Sequence, residues 1–273
     1  MNKLSDLKLE VVKKLEQKIK EQDGLFLFFD NIINIILHNE NNPYRLTPQK
    51  LVDVLEETLD LYQSKENNRW IRWENRTNQD EDNILTKLCP LEIAQGTYSA
   101  MQYEGIKFYK SCHDMGIYIQ LIDLIKPKTI IEFGTFSGGW TTLMSKIAPT
   151  DCIIKTYDIR DCKEFNNPNI IFEKIDLQAN VPDLKNTTGP RLIIEDAHRN
   201  IRNVLLEADK IVEPGDYLVV EDSFSKQTPI SDFLKLAKNK YLIDTRYTNF
   251  FGKNATSANN SIFKVIEWDY LKN

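Results

Sequence analysis

The chain has 273 residues, of which 41% are hydrophobic and 27% charged, and its formal net charge is −5. This length suits one large domain or one domain with a smaller companion. Ten Gly and ten Pro exclude collagen-like and low-complexity classes. The acidic balance argues against nucleic acid as the main partner.

The cysteines and the apolar runs predict a cytoplasmic protein without a membrane span. The four cysteines have no C-x-x-C spacing and are expected to be free thiols in a reducing compartment: Cys89, Cys112, Cys152 and Cys162. The N-terminus has no apolar signal region. The apolar run from Leu25 to Leu37 is shorter than the roughly 20 residues that cross a bilayer.

Residues 1–100 are predicted to form an N-terminal helical region, because apolar residues recur there at helical spacing. Their apolar faces exceed what a lone helix needs, so we expect a homo-oligomer. Within this region, residues 63–83 are polar and predict a linker or mobile loop. Trp70 and Trp73 in that loop favour either a docking patch on the main domain or a lid over a substrate.

From about residue 113, short apolar strands alternate with helices, which predicts an α/β domain over residues 101–273. Continuous apolar strands separated by helices are typical of a parallel sheet covered on both faces. With right-handed crossovers this is a doubly wound, Rossmann-like sheet. The predicted strands cover 129–133, 152–157, 169–175, 192–194, 217–220, 241–247 and 261–266.

A glycine-containing loop, EFGTFSGG, follows the first of these strands. Ligands of such sheets bind beyond the carboxyl ends of the strands, where the strand order reverses. The glycines do not form G-x-G-x-x-G, which disfavours a dinucleotide pyrophosphate site. The candidate cofactor-binding residues at this loop are Glu132, Gly134, Thr135, Ser137 and Gly138.

Two further acids follow the second and third strands. Asp158 is placed to accept hydrogen bonds from both ribose hydroxyls of a cofactor, as in enzymes that use NAD or S-adenosylmethionine. Asp176 is placed to meet an adenine amino group. Both residues therefore join the candidate cofactor site.

The fourth and fifth strands end in pairs of acids, Glu195-Asp196 and Glu221-Asp222. If the strands are neighbours, about 4.8 Å apart, up to four carboxylates converge. Such carboxylates repel one another unless a cation neutralises them, and a hard dication such as Mg²⁺ is a natural solution. The sequence therefore predicts a metal site at these residues. His198, three residues after Glu195, is the candidate general base.

The glycine loop resembles the S-adenosylmethionine loop of class I methyltransferases. Three longer segments together resemble the cephalosporin hydroxylase family, which has that fold: YEGIKFYKSCHDMGIY, IIEDAHRN and EPGDYLVVED. The resemblance covers about residues 100–270. It implies a Mg²⁺-dependent O-methyltransferase acting on an antibiotic-like or sugar-bearing small molecule.

Carried over by position, the resemblance implies Glu195, Glu221 and Asp222 as metal ligands and His198 as base. The family usually has Asp at the first place, and Asp196 could substitute for Glu195. Glu132, Gly134 and Asp158 match the family's cofactor positions. An NAD-dependent oxidoreductase and a non-catalytic methyltransferase-like partner protein remain as alternatives.

Overall fold

The computed structural model describes residues 69–76, 95–96, 99–162, 165–252 and 254–267. All of them lie in one compact unit, Gln63–Asn273. The helices predicted in the first 62 residues lie outside the described part, as do most of the polar loop 63–83 and Cys89. Cys112, Cys152 and Cys162 are free thiols, as expected.

Ten strands and five α-helices make up the described part of the unit. The strands are β1 (Trp70–Ile71), β2 (Met101–Tyr103), β3 (Ile106–Phe108), β4 (Thr129–Phe133), β5 (Ile153–Asp158), β6 (Ile170–Lys174), β7 (Arg191–Glu195), β8 (Tyr217–Val220), β9 (Lys240–Asp244) and β10 (Ile262–Ile266). The helices are α1 (Cys112–Ile125), α2 (Gly139–Ile147), α3 (Ile201–Asp209), α4 (Gln227–Leu236) and α5 (Thr245–Thr248). None of these described helices is long and apolar enough to cross a membrane.

Eight strands form one sheet in the order β1-β9-β10-β8-β7-β4-β5-β6. The pairs β4–β5, β5–β6, β4–β7 and β7–β8 are parallel, which confirms the doubly wound sheet. The expectation of a wholly parallel sheet is wrong for β10, which runs antiparallel to β8 and β9. A fully buried strand has the same apolar pattern in both directions, so its sequence does not reveal the reversal.

The core lies in two layers, one on each face of the sheet. Successive residues of a strand point to opposite faces, and Ile130 and Ile131 of β4 accordingly belong to different layers. Leu121 of α1 and Met144 of α2 pack with Ile130, whereas Val204 of α3 packs with Ile131. These covered faces explain the continuous apolar runs of β4, β7 and β8.

The edge strand β1 was not predicted, and it lies within the polar segment 63–83. Trp70 pairs with Asp244 of β9, and the ring of Trp73 lies 6.0 Å from that of Phe263. Arg69 holds the buried Asp244 carboxylate with two hydrogen bonds of 2.9 and 2.8 Å. These contacts correspond to the first of the two alternatives for Trp70 and Trp73, a docking patch on the main domain.

A hairpin of β2 and β3, also not predicted, precedes α1. Glu104 and Gly105 both have positive φ, at 49° and 76°, which is the signature of a two-residue type I′ turn. Ser111 then caps α1 by accepting a hydrogen bond of 3.0 Å from the Asp114 amide. Lys110, immediately before this cap, is thereby fixed at the rim of the sheet.

Candidate active site

A pocket of about 910 Å³ lies beyond the carboxyl ends of the parallel strands. The strand order reverses between β4 and β7, which is where a doubly wound sheet opens a crevice. Eight of the predicted site residues line this pocket: Glu132, Gly134, Thr135, Asp158, Asp176, Asp196, His198 and Asp222. The predicted residues Ser137, Gly138, Glu195 and Glu221 do not belong to its lining.

Gly134 brings the first loop against the end of β7. Its φ of +105° favours glycine, and a Cβ there would lie 2.7 Å from the carbonyl carbon of Asp196. Its amide donates to the Tyr157 carbonyl at 2.8 Å. Gly134 therefore sets how closely the loop and Asp196 approach each other.

Gly138 and Ser137, two further loop residues predicted to bind the cofactor, lie outside the pocket lining. Gly138, with φ +83°, is the N-cap of α2, where an added Cβ would meet the Phe165 ring at 2.8 Å. Ser137 lines a shallower neighbouring cavity of about 500 Å³. Their assignment to the cofactor remains a prediction.

Asp158 ends β5 and is held in the pocket by backbone amides. Its Oδ2 accepts from Phe136 N at 2.8 Å, and its Oδ1 accepts from Arg160 N at 2.9 Å. Asp176 is exposed and accepts from the Gln178 amide at 2.9 Å. Both carboxylates thus keep lone pairs for a ligand, because each oxygen can accept more than one hydrogen bond.

Glu132 lies buried at the end of β4. Its Oε2 accepts hydrogen bonds of 2.5 and 2.6 Å from the hydroxyls of Thr141 and Thr156. Burial raises the pKa of Glu132 to about 7, and the two threonine hydrogen bonds oppose this rise. Its contacts favour a role in shaping the loop, and the side chain still reaches the pocket lining.

Glu195, predicted as a metal ligand, is turned into the protein. It has no solvent exposure, and its Oε2 pairs with the buried Lys226 ammonium at 2.8 Å. Its Oε1 accepts from the backbone amide of His198 at 3.0 Å. Glu195 therefore organises the turn that carries His198 and does not line the pocket.

Glu221, the second carried-over ligand, is also engaged by the protein. It is bonded to the Lys110 ammonium, and Tyr118 donates its hydroxyl to Oε1 at 2.5 Å. The same ammonium lies 3.0 Å from Asp196 Oδ2. Burial alone would lower the pKa of Lys110, but Asp196 and Glu221 raise it above its ordinary value, so the group stays charged.

His198 lies between Asp196 and Asp222. Its Nε2 is 3.4 Å from Asp196 Oδ1 and 3.2 Å from Asp222 Oδ2. The hydrogen bond to Asp196 is the largest cause, and that to Asp222 the second, of a pKa of His198 that is raised to about 9. Both His198 (φ 57°) and Asp222 (φ 45°) have left-handed backbones, a strained state that clusters at functional sites.

Within the described residues, these three side chains form the group whose potential ligand atoms lie within 4.8 Å of one another. Glu195 and Glu221 do not belong to it. The structure therefore does not bring the four predicted carboxylates around one point, and the reason is the two lysines that engage Glu195 and Glu221. Asp196, which was the alternative to Glu195, is the acid that reaches the pocket.

Sequence reasoning missed Lys110, Lys226 and Tyr118. Lys110 and Tyr118 lie in the first segment that carried the family resemblance, whereas Lys226 follows β8 in a short 3₁₀ helix (Ser223–Lys226). Neither lysine stands out in a chain with 35 Lys and Arg residues. Their burial, at 3% and 2% exposure, becomes evident only in the fold.

Two exposed aromatic rings stand at the mouth of the pocket. Tyr109 is 54% exposed and Phe136 is 42% exposed, and their ring centroids are 5.4 Å apart. The Arg160 guanidinium lies 5.9 Å from the centre of the Phe136 ring. Exposed aromatic surface that lines a pocket is typical of small-molecule sites.

Proteins similar to this chain include rhamnosyl O-methyltransferases. That of Mycobacterium tuberculosis is 30% identical over 148 residues, which cover 47% of this chain and 59% of the relative. That of Mycobacterium leprae is 29% identical over 153 residues, which cover 49% and 65%. The chain thus spans less than two thirds of these relatives, and no protein-family model matches it.

Solved structures of the protein CmcI share the fold. The apo form has a TM-score of 0.54 at 20% identity and covers 77% of this chain and 95% of CmcI. The form with Mg and S-adenosylmethionine has a TM-score of 0.52 at 20% identity, with 77% and 96% covered. The fold is that of class I methyltransferases, and the comparisons support the resemblance to the cephalosporin hydroxylase family.

Proposed function

We propose that this protein is an S-adenosylmethionine-dependent O-methyltransferase that acts on a hydroxyl of a sugar-bearing small molecule. The observation that carries the proposal is the pocket at the switch point. It has Asp158 on one side of the glycine loop and the Asp196–His198–Asp222 group on the other. The similarity to rhamnosyl O-methyltransferases supports methyl transfer to a sugar and does not favour the oxidoreductase or the non-catalytic alternative.

The cofactor would lie across the glycine loop. Asp158, with both oxygens already oriented by backbone amides, would accept hydrogen bonds from the ribose hydroxyls. Asp176 lies further along the same rim, where we propose that it meets the adenine amino group. The positive sulfonium would then face the acidic residues at the ends of β7 and β8, which attract a cation.

The transfer is a single displacement. A lone pair of the substrate oxygen forms the O–CH₃ bond while the S–CH₃ bond breaks, and its electron pair stays on sulfur as a neutral thioether. The hydroxyl proton passes to Nε2 of neutral His198. Asp196 and Asp222 stabilise the imidazolium that results, and a bound sulfonium nearby would lower the His198 pKa toward neutrality.

The residues do not fit the magnesium site that the resemblance implies. Of the three carried-over ligands, Glu195 and Glu221 are bonded to ammonium groups, which leaves Asp222. The remaining candidate group, Asp196–His198–Asp222, contains an imidazole, whereas Mg²⁺ prefers oxygen ligands. Ion pairing with His198 accounts for the closeness of the two carboxylates, so no step is assigned to a metal ion.

The acceptor would enter over Tyr109 and Phe136. Their exposed rings offer flat apolar surface, and the nearby Arg160 and Arg199 of the pocket lining offer hydrogen-bond donors. This combination suits a glycoside with an apolar body and free hydroxyls. We also propose that the protein is a cytoplasmic homo-oligomer and that its chain divides into an N-terminal region and a methyltransferase domain at residue 100.

The function is tested by incubating the full chain with methyl-labelled S-adenosylmethionine and a panel of rhamnosides and other deoxysugar glycosides. We expect label in a methyl ether of at least one glycoside, with much less in the His198→Ala variant. Lys128→Met is the control, because Lys128 is exposed and paired with Asp151. Binding of NADH, with no binding of S-adenosylhomocysteine, would instead support the oxidoreductase.

A further inference from the structure

Lys110 and Lys226 are buried among Glu195, Asp196, Glu221 and Asp222, the four acids at the ends of β7 and β8 that form the acidic rim of the pocket. The two lysines are 3% and 2% exposed. A buried ammonium group is costly unless a carboxylate compensates it, so each lysine fixes the acid that it faces. Lys226 is 2.8 Å from Glu195, and Lys110 joins Asp196 to Glu221.

The position of Lys110 is defined from several sides. It precedes the Ser111 cap of α1, and its Nζ lies 5.7 Å from the ring centres of Tyr118 and Trp140. Such cation–π contacts favour a charged ammonium at that point. Asp114, the other acid close to it, is held by Thr256 and by the Ser257 amide at 2.5 and 3.0 Å. The ammonium therefore stands between carboxylates of β7 and β8, where the sequence predicted a dication.

Every carboxylate at the ends of β7 and β8 already has a basic side chain of the protein beside it. Lys226 serves Glu195, Lys110 serves Asp196 and Glu221, and His198 serves Asp222. Two buried ammonium groups thus stand among the four carboxylates that the sequence predicted as metal ligands.

We propose that Lys110 and Lys226 take the place of a divalent cation, so that this chain binds its cofactor without a metal ion. Lys110 and Lys226 are positioning residues: they hold Asp196, Glu195 and Glu221 in place without contacting the methyl group. The part of the proposal that concerns methyl transfer rests on the proposed function. The part that concerns metal binding does not.

The test is a titration of the EDTA-treated full chain with Mn²⁺. The electron paramagnetic resonance signal of the free ion reports how much Mn²⁺ remains unbound. Wild type and Asp222→Asn are expected to bind Mn²⁺ equally weakly. Lys110→Met is expected to bind at least ~10-fold more tightly than wild type, because Asp196 and Glu221 lose their shared cation. The Lys128→Met control should behave as wild type.

Tight Mn²⁺ binding by wild type that Asp222→Asn abolishes would overturn the proposal, and so would a folded Lys110→Met variant with no gain. If Lys110→Met does not fold, the comparison of wild type with Asp222→Asn still decides. Calorimetric binding of S-adenosylhomocysteine in EDTA is measured in parallel. If S-adenosylhomocysteine binds neither with nor without Mg²⁺, the proposed function is refuted. If it binds only when Mg²⁺ is added, metal independence is refuted.

Discussion

The acids at the ends of β5 and β6 differ from those at the ends of β7 and β8. Asp158 and Asp176 accept hydrogen bonds from backbone amides and face the pocket. Glu195 and Glu221 are buried against lysines that come from other parts of the chain. An acid at a strand end therefore does not by itself indicate a ligand site, because the group that it is bonded to decides. A carboxylate bonded to a backbone amide keeps its charge available for a ligand, whereas an ammonium group neutralises that charge.

The largest effect is expected from Lys226→Met, which leaves Glu195 buried without its cation. Breaking a buried ion pair from one side costs about 3–5 kcal/mol in the free energy of unfolding. Urea denaturation measures this loss. The double variant Lys226→Met/Glu195→Leu should recover most of it, and equal stability of Lys226→Met and wild type would show that the pair is not formed.

Asp158→Ala is expected to weaken binding of S-adenosylhomocysteine by about 100-fold, since charge-assisted hydrogen bonds to two hydroxyls are lost. Isothermal titration calorimetry measures the dissociation constant. The matched control is Asp123→Asn on α1, whose exposed carboxylate pairs with Lys126. An unchanged dissociation constant in Asp158→Ala would remove Asp158 from the cofactor site.

The rate of methyl transfer is expected to rise with pH through the neutral range. Only neutral imidazole accepts a proton, and the carboxylates of Asp196 and Asp222 raise the pKa of His198 to about 9, so the active form is scarce below that pH. The rate at saturating cofactor should rise about 10-fold per pH unit well below the apparent pKa. Bound sulfonium should place that pKa below the free-enzyme value. A His198→Gln variant with the same pH profile would assign the base to another group.

The smallest effect is expected from Asp176→Asn. Asp176 is exposed and would contribute one hydrogen bond to adenine, so removal of its charge should weaken S-adenosylhomocysteine binding by about 2- to 10-fold. The same calorimetric titration measures it. A loss of affinity as large as that of Asp158→Ala would mean that Asp158 and Asp176 contribute equally to cofactor binding.

The parts of the fold that depend on local pattern could be predicted from the sequence. The apolar runs of β4 to β8 and the acids that follow them located the pocket and Asp158, because strand ends are visible in a parallel-sheet pattern. The direction of β10 could not be predicted, since a buried run such as that from Ile262 to Ile266 has no polarity. The edge strand β1 is two residues long and lies in a polar segment, so periodicity could not reveal it.

The partners of the acidic rim could not be predicted for a different reason. Lys110 is 86 residues from Asp196 and 111 from Glu221, and Lys226 is 31 residues from Glu195. No spacing rule connects groups so far apart along the chain. Carboxylates packed this closely repel one another unless cations lie beside them, and Lys110 and Lys226 are two such cations. Long-range ion pairs of this kind become visible only when the sheet brings the strand ends together.

The most direct measurement is a crystal structure of the chain soaked with S-adenosylhomocysteine and Mg²⁺. The predicted result is a ribose held by Asp158, with Lys110 still joining Asp196 to Glu221 and Lys226 still paired with Glu195. A magnesium ion bound by Glu195, Glu221 and Asp222, with both ammonium groups displaced, would contradict the account.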